Sequence, residues 1–249
     1  MGVQTLPELV GHRGWPVRFP ENFLEGFAAA VSAGACWLEC DVQVSADGVP
    51  FVCHDVSLKR TANLDRDITH MRATELDVVS IGERQRFGEQ HAGARLPRLD
   101  ALIAWLESQS HVTLFVEIKR ESLLHHGTAA VVGRVMDELR VAPGQCSVIS
   151  FDHDCLVHAR NLGAPTIGWA VESVTDEIRR LAKALNPDYL FTDERVFADI
   201  HAALPGPWQW VPYHTEDARR AMELARHGAT LVETNDIGGL LQAAEFIQT

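Results

Sequence analysis

The chain lacks the basic excess that a nucleic-acid or anionic-membrane partner requires. Against 34 Asp and Glu it sets 22 Lys and Arg in 249 residues, a formal charge of -12 at pH 7, so no surplus of cations is available to displace counterions. An anionic ligand would need local help. Also missing are any apolar run near the ~20 residues of a membrane span and any basic segment leading into an apolar one at the N-terminus. The expectation is a soluble, cytoplasmic protein with a small-molecule partner and neither membrane nor nucleic acid. Among its five cysteines no pair has CxxC spacing, and Cys36, Cys40, Cys53 and Cys146 sit in strand-like runs, which reads as reduced, mostly buried thiols. No glycine- or serine-rich linker interrupts the chain, and 46% hydrophobic residues suffice for a large core. Residues 1–249 are therefore expected to form a single domain; oligomeric state is left open.

What is present is alternation. Short apolar runs at 9–12, 37–44, 113–118, 147–151, 166–171, 189–192, 208–212 and 230–233 alternate with segments of helical spacing, such as Leu99, Leu102, Ile103 and Leu106, or Val131, Val132, Val135, Met136 and Leu139. Eight strand-helix units of this length predict an α/β fold, a closed (β/α)8 TIM barrel. One unit breaks the rhythm. The turn signal Ser45-Ala46-Asp47-Gly48 is followed by "VPFVCHD", a strand that doubles back, and residues 55–96 show no core-length periodicity. That segment reads as an insertion over the C-terminal mouth of the barrel, with a disordered stretch as the alternative.

Polar residues gather where the early strands end, the place where side chains of a barrel converge. "HRG" ends the first, "ECD" lies in the second, "CHD" ends the returning strand and "EIK" the third. Glu39 and Asp41 are two apart and share a face, as do Glu117 and Lys119, while Leu38, Cys40 and Val42 take the opposite side. Converging carboxylates repel and lose hydration unless a cation offsets them, and three such oxygens suit a hard divalent ion such as Mg²⁺ or Ca²⁺. Each piece also has a plain structural reading. His12 alone fits a hydrogen-bonded structural histidine, Arg13 a surface ion pair, and Glu39 with Asp41 a salt-bridge layer with Arg13 and Lys119. In "PENF", Asn22 reads as a helix N-cap with Glu25 completing a capping box, Phe23, Phe27 and Val31 as the core face, and Gly34 as the stop. The plain readings handle poorly the coincidence of four polar sets on consecutive strand ends.

"GHRG" with "PEN", "LECDVQVSADGVPFVCHD" and "FVEIK", in this order and spacing, closely resemble the glycerophosphodiester phosphodiesterase family, barrel enzymes with an insertion after the second strand. The likeness continues through "SLKRT", "LPRLDALIAWL" and "VISFD"; it covers residues 9–170 well and the rest loosely. The resemblance implies metal-dependent hydrolysis of glycerophosphodiesters to glycerol 3-phosphate and an alcohol. It implies His12 and His54 as acid and base, Arg13 and Lys119 as phosphate-binding residues, and Glu39, Asp41 and Glu117 as ligands of Mg²⁺ or Ca²⁺. Asp55, beside His54, reads either as an orienting group or as a cap of the insertion.

The likeness thins toward the C-terminus. Where the family has Trp-Thr-Val-Asn and Thr-Asp, this chain reads "QWVPYHT" and "LVETND", so either Trp210 or Tyr213 is expected to wall the pocket, and Phe23 replaces a usual threonine. A lysophospholipase D-type or other phosphodiesterase on the same fold, and a non-catalytic barrel binding phosphorylated ligands, are the alternatives. The paired histidines disfavour the second. The many charged residues of segment 55–96, without an apolar stripe, favour a polar headgroup over an acyl chain.

Overall fold

The structure, a computed structural model, describes residues 7–247. Nine strands occur among them: β1 (Glu8–Gly11), β2 (Trp37–Val44), β3 (Pro50–Val52), β4 (Thr113–Ile118), β5 (Cys146–Ser150), β6 (Ile167–Ala170), β7 (Tyr189–Asp193), β8 (Gln209–Tyr213) and β9 (Leu231–Thr234). Eight are parallel, in the order β8-β7-β6-β5-β4-β2-β1-β9, and β3 pairs antiparallel with β2. The ends of that order meet. Thr230 N–H donates to the Trp210 carbonyl and Thr215 N–H to the Glu233 carbonyl, each at 3.1 Å, so the sheet is a nearly closed (β/α)8 barrel. The eight predicted barrel strands are each found within one residue of their expected limits, and the returning strand is shorter than expected, ending at Val52 before "CHD".

Period-two alternation sorts each strand into two cores. Leu38, Cys40, Val42, Leu114, Val116 and Val148 point outward beneath the helices Leu99–Glu107 and Thr128–Leu139, which bury the stripes that the spacing announced. Val10, Phe115, Ile149, Ala170, Tyr189, Phe191, Val211 and Leu231 point inward and fill the lower barrel. There Trp37 stacks on Phe115 with centroids 5.5 Å apart, and Tyr189 meets Phe115 edge-on at 4.9 Å. The aromatic filling explains Gly168, because a Cβ at this position would stand 2.6 Å from the Phe191 ring and 2.7 Å from Ile149. One pleat higher on the same inward face the residues turn polar: Glu39 and Asp41 on β2, Glu117 on β4, Tyr213 on β8 and Glu233 on β9.

Segment 55–96 is folded. It carries the short helices Lys59–Ala62, Ala73–Leu76 and Arg84–Phe87 and a 3-10 turn at Ile68–His70. Its apolar residues, including Leu58, Ile68, Met71, Leu76 and Ile81, form a separate cluster with Phe23 and Phe51. Bridges Ser57↔Asp67 and Ser80↔Arg95 hold the loops of the segment together. The five cysteines are free and all but Cys36 are buried. Among the described residues, no helix is long and apolar enough to cross a membrane.

Candidate active site

The loop after β1 shapes the first half of the site. A Cβ on Gly11 would stand 2.7 Å from the Gly14 carbonyl oxygen, so only glycine lets the chain turn back so tightly. Arg13 takes φ +52, a left-handed conformation that few side chains adopt. Its N–H donates to Glu39 Oε2 at 3.0 Å, its Nε lies 3.0 Å from Asp41 Oδ2 as an ion pair, and its Nη1 donates to Glu21 Oε1 at 3.2 Å.

Asn22 is not the helix cap. Phe23 holds the N-cap position of the helix Leu24–Ser32 through its backbone alone, and no side chain caps that helix. Asn22 instead sits at φ +55 and exchanges two hydrogen bonds with Asp41, one through its side-chain amide and one through the Asp41 N–H. A tertiary partner has won over a local one. Phe23 correspondingly turns to the cluster of the insertion, while Phe27 joins the main core and Gly34, at φ +105, ends the helix region as expected.

His12, Arg13, Glu39, His54, Glu117 and Lys119 line one cavity of about 200 Å³ together with Ile149, Phe151, Ala170, Phe191, Tyr213, His214 and Glu233. Asp41 lies just beneath, 1% exposed. One oxygen each from Glu39, Asp41 and Glu117 falls within a 4.8 Å set, the separation at which a single ion can be shared. Lys119 Nζ donates to Glu117 Oε1 at 2.8 Å and lies 3.3 Å from Asp41 Oδ1. The salt-bridge layer and the carboxylate cluster are thus the same residues.

Electrostatics shows what the cluster lacks. Burial, then Asp41, Glu233 and Glu117, push the Glu39 carboxyl well above the usual range, and burial likewise raises Glu117 and Glu233. Against the same burial, Arg13 and Lys119 hold Asp41 below its ordinary value. Glu39 Oε1 and Glu233 Oε1 are buried with no hydrogen-bond partner among the described residues. Hard, orphaned oxygens without enough positive charge fit a divalent cation, and Glu39, Asp41 and Glu117 are the residues that could hold it.

The two histidines are held differently. His12 Nδ1 lies 2.8 Å from Asn235 Oδ1 and its ring stacks on His214 at 5.1 Å. Burial and the neighbouring Arg13 lower its pKa to about 3, so it stands neutral. His54 Nδ1 lies 2.6 Å from Asp55 Oδ1; a carboxylate only accepts, so Nδ1 carries the proton and Nε2 is left to the cavity. Asp55 also accepts from Arg60 Nε at 2.7 Å, and Arg60 grips Glu21 with two bonds of 2.6 and 2.7 Å. Asp55 is thus an orienting group for His54 and an anchor for the insertion.

Tyr213 takes the wall position; Trp210 points outward, 3% exposed, against Phe197 and His201. Sequence reasoning missed Glu233, His214, Asn235 and Glu21. Glu233 had a signal, since it shares strand parity with inward-facing Leu231.

The family described as the glycerophosphoryl diester phosphodiesterase family matches residues 12–233. The human glycerophosphodiester phosphodiesterase domain-containing protein 5 is 27% identical over 161 residues, 61% of this chain but 26% of that protein. A glycerophosphodiester phosphodiesterase of Caldanaerobacter subterraneus is 28% identical over 145 residues, 58% of each. The matched stretch therefore spans about a quarter of the first relative and 58% of the second. Among solved structures, an Oleispira antarctica phosphodiesterase in complex with the product sn-glycerol-3-phosphate superimposes with a TM-score of 0.82, covering 97% of both chains at 25% identity. A glycerophosphodiester phosphodiesterase from Agrobacterium tumefaciens shares the fold at a TM-score of 0.74 and 22% identity, over 95% of this chain and all of that one. With the motifs of its first half gathered at one barrel mouth and its family matched from His12 to Glu233, the chain belongs to the glycerophosphoryl diester phosphodiesterase family.

Proposed function

We propose that this chain hydrolyses glycerophosphodiesters to glycerol 3-phosphate and an alcohol, using His12 and His54 as proton carriers. The observation that carries the reading is the convergence of His12 and His54, Arg13 and Lys119, and the cluster Glu39, Asp41 and Glu117 at one cavity. A phosphodiester brings one negative charge, which grows on the equatorial oxygens in the transition state, and Arg13 and Lys119 stand ready to stabilise it. Glu39, Asp41 and Glu117 would hold a divalent ion, Mg²⁺ or Ca²⁺, which when bound would supply Lewis-acid stabilisation of the developing charge. One imidazole takes a proton from the attacking hydroxyl or water, and the other returns one to the departing alkoxide. Asp55 and Asn235 keep the two rings aimed. Segment 55–96 is tied to the site through Arg60, which holds Asp55 and Glu21.

Turnover of glycerophosphocholine with Mg²⁺ or Ca²⁺, read as glycerol 3-phosphate released, tests this. His12→Ala and His54→Ala are each expected to lower kcat by ~10²- to 10⁴-fold with metal affinity retained. Phosphodiester binding without turnover in the unaltered chain would favour the non-catalytic barrel.

A further inference from the structure

The loop after β8 and the end of β9 together hold a short chain of polar groups that leads away from the cavity. Asn235 Nδ2 donates to Glu216 Oε1 at 2.7 Å, and Asn235 Oδ1 lies 2.8 Å from His12 Nδ1. A carboxylate has no proton to give, so the amide of Asn235 must turn its NH2 toward Glu216 and its oxygen toward His12. A carbonyl oxygen only accepts, so His12 Nδ1 must donate. We propose that Asn235, anchored by Glu216, is a positioning residue that fixes His12 as the Nδ1–H tautomer and so presents a bare Nε2 lone pair to the substrate.

The remaining contacts of the ring agree. His12 Nε2 is 3.9 Å from Glu39 Oε2, too far for a hydrogen bond that would hold a proton there. His214 stacks over the ring with planes 22° apart, which fixes the plane but leaves the tautomer to Nδ1. The opposite amide orientation would set Asn235 Oδ1 against the Glu216 carboxylate and leave two acceptors facing each other. An asparagine at this point cannot select the tautomer alone, because its amide can turn over; the glutamate removes that freedom. The assignment deepens the phosphodiesterase reading and rests on it for the role of His12.

Nitrogen-15 NMR of histidine-labelled protein without substrate reads the tautomer directly, with the His12 signals identified by their loss in His12→Asn. In the unaltered chain His12 is expected to carry its proton on Nδ1. Asn235→Leu should shift the proton toward Nε2 and lower kcat on the order of 10²-fold with KM little changed. Asn235→Asp combined with Glu216→Gln, whose amide can donate to the new carboxylate, keeps an acceptor at Nδ1 and should retain the tautomer and most of kcat. Should Asn235→Leu fail to fold, Glu216→Ala, at a half-exposed side chain, is expected to give a mixed tautomer and an intermediate kcat. A proton on Nε2 in the unaltered chain, or tautomers unmoved in Asn235→Leu and Glu216→Ala, would overturn the proposal. Absence of turnover in the unaltered chain would instead overturn the functional reading, since the NMR arm needs no activity.

Discussion

Asn22 and Asp41 hold each other by two hydrogen bonds: Asn22 Nδ2–H donates to Asp41 Oδ2 at 2.9 Å, and the Asp41 N–H donates to Asn22 Oδ1 at 3.2 Å. The pair fixes the innermost carboxylate of the cluster from a residue in another loop. Asn22→Ala removes both bonds and strains alanine at φ +55. The expected outcome is a ~10- to 100-fold loss of Mg²⁺ or Ca²⁺ affinity by calorimetric titration. Unchanged affinity would reduce Asn22 to a shaper of the turn.

Crowding among Glu39, Asp41, Glu117 and Glu233 predicts how the protein responds to metal. Activity is expected to vanish on chelation and return with Mg²⁺ or Ca²⁺. Glu39→Gln removes one buried charge while its side-chain oxygen still accepts from the Arg13 N–H, so its apo form should melt at or above the temperature of the parent chain. The rise in Tm on adding metal should shrink in the same variant. A full metal-induced rise in Glu39→Gln would remove Glu39 from the ligand set.

Glu138 supplies a pH test far from the site. It is half-buried on the helix Thr128–Leu139, its Oε2 has no partner among the described residues, and burial with nearby Asp100 raises its pKa from 4.5 to about 7. Below pH 4.5 the carboxyl is protonated in folded and unfolded chains alike. As pH rises toward 7 the unfolded chain ionises first, so folding stability falls, by about 1 kcal/mol once solvent screening is allowed for. Thermal melts of the parent and Glu138→Gln are expected to diverge between pH 5 and pH 8 in favour of the variant. A gap that stays constant over that range would contradict the assignment.

Most apolar residues of the insertion are buried and most of its charges face solvent, with the exposed Val78 and the buried Glu83 as exceptions: Lys59, Arg60, Asp65, Arg66, Arg72, Glu75 and Arg84 are exposed. An acyl chain contributes about 0.8 kcal/mol for each methylene buried, and a charged rim forfeits that gain. Glycerophosphocholine is therefore expected to show a higher kcat/KM than lysophosphatidylcholine held below its micellar concentration. Preference for the lipid would install the lysophospholipase D-type reading.

Much of the barrel was legible because its two physical demands repeat in every unit. Strand parity divides inside from outside, and helix spacing marks the face against the sheet, so Leu38, Cys40 and Val42 could be separated from Glu39 and Asp41 by counting. The carboxylates, histidines and cations at the mouth were legible for the same reason. Asn22 was misread because asparagine is a good cap and the helix begins where a cap belongs; the competing partner, Asp41, is close only after folding. The cluster of Leu58, Ile68, Met71 and Ile81 escaped because turns and bridges present side chains without a fixed period. Glu233 and His214 lie where the recognisable motifs thin out.

The apolar cluster of residues 55–96 is smaller than the barrel core and separate from it, so the two regions are expected to open at different free energies. The barrel strands pair on both sides, whereas the insertion is joined to the barrel by packing on Phe23 and Phe51, by the Arg60–Glu21 grip, and by single hydrogen bonds such as Glu21 N–H to Glu83 Oε1 at 2.7 Å and Ala73 N–H to Asp47 Oδ1 at 2.8 Å. A region of short helices and turns around a small cluster opens at lower free energy than paired barrel strands, so its amides should exchange with deuterium well before those of β2 and β4. Because that opening withdraws Arg60 from Asp55 and Glu21, warming is expected to abolish the proposed turnover reversibly at temperatures where the circular dichroism of the barrel still reads as native.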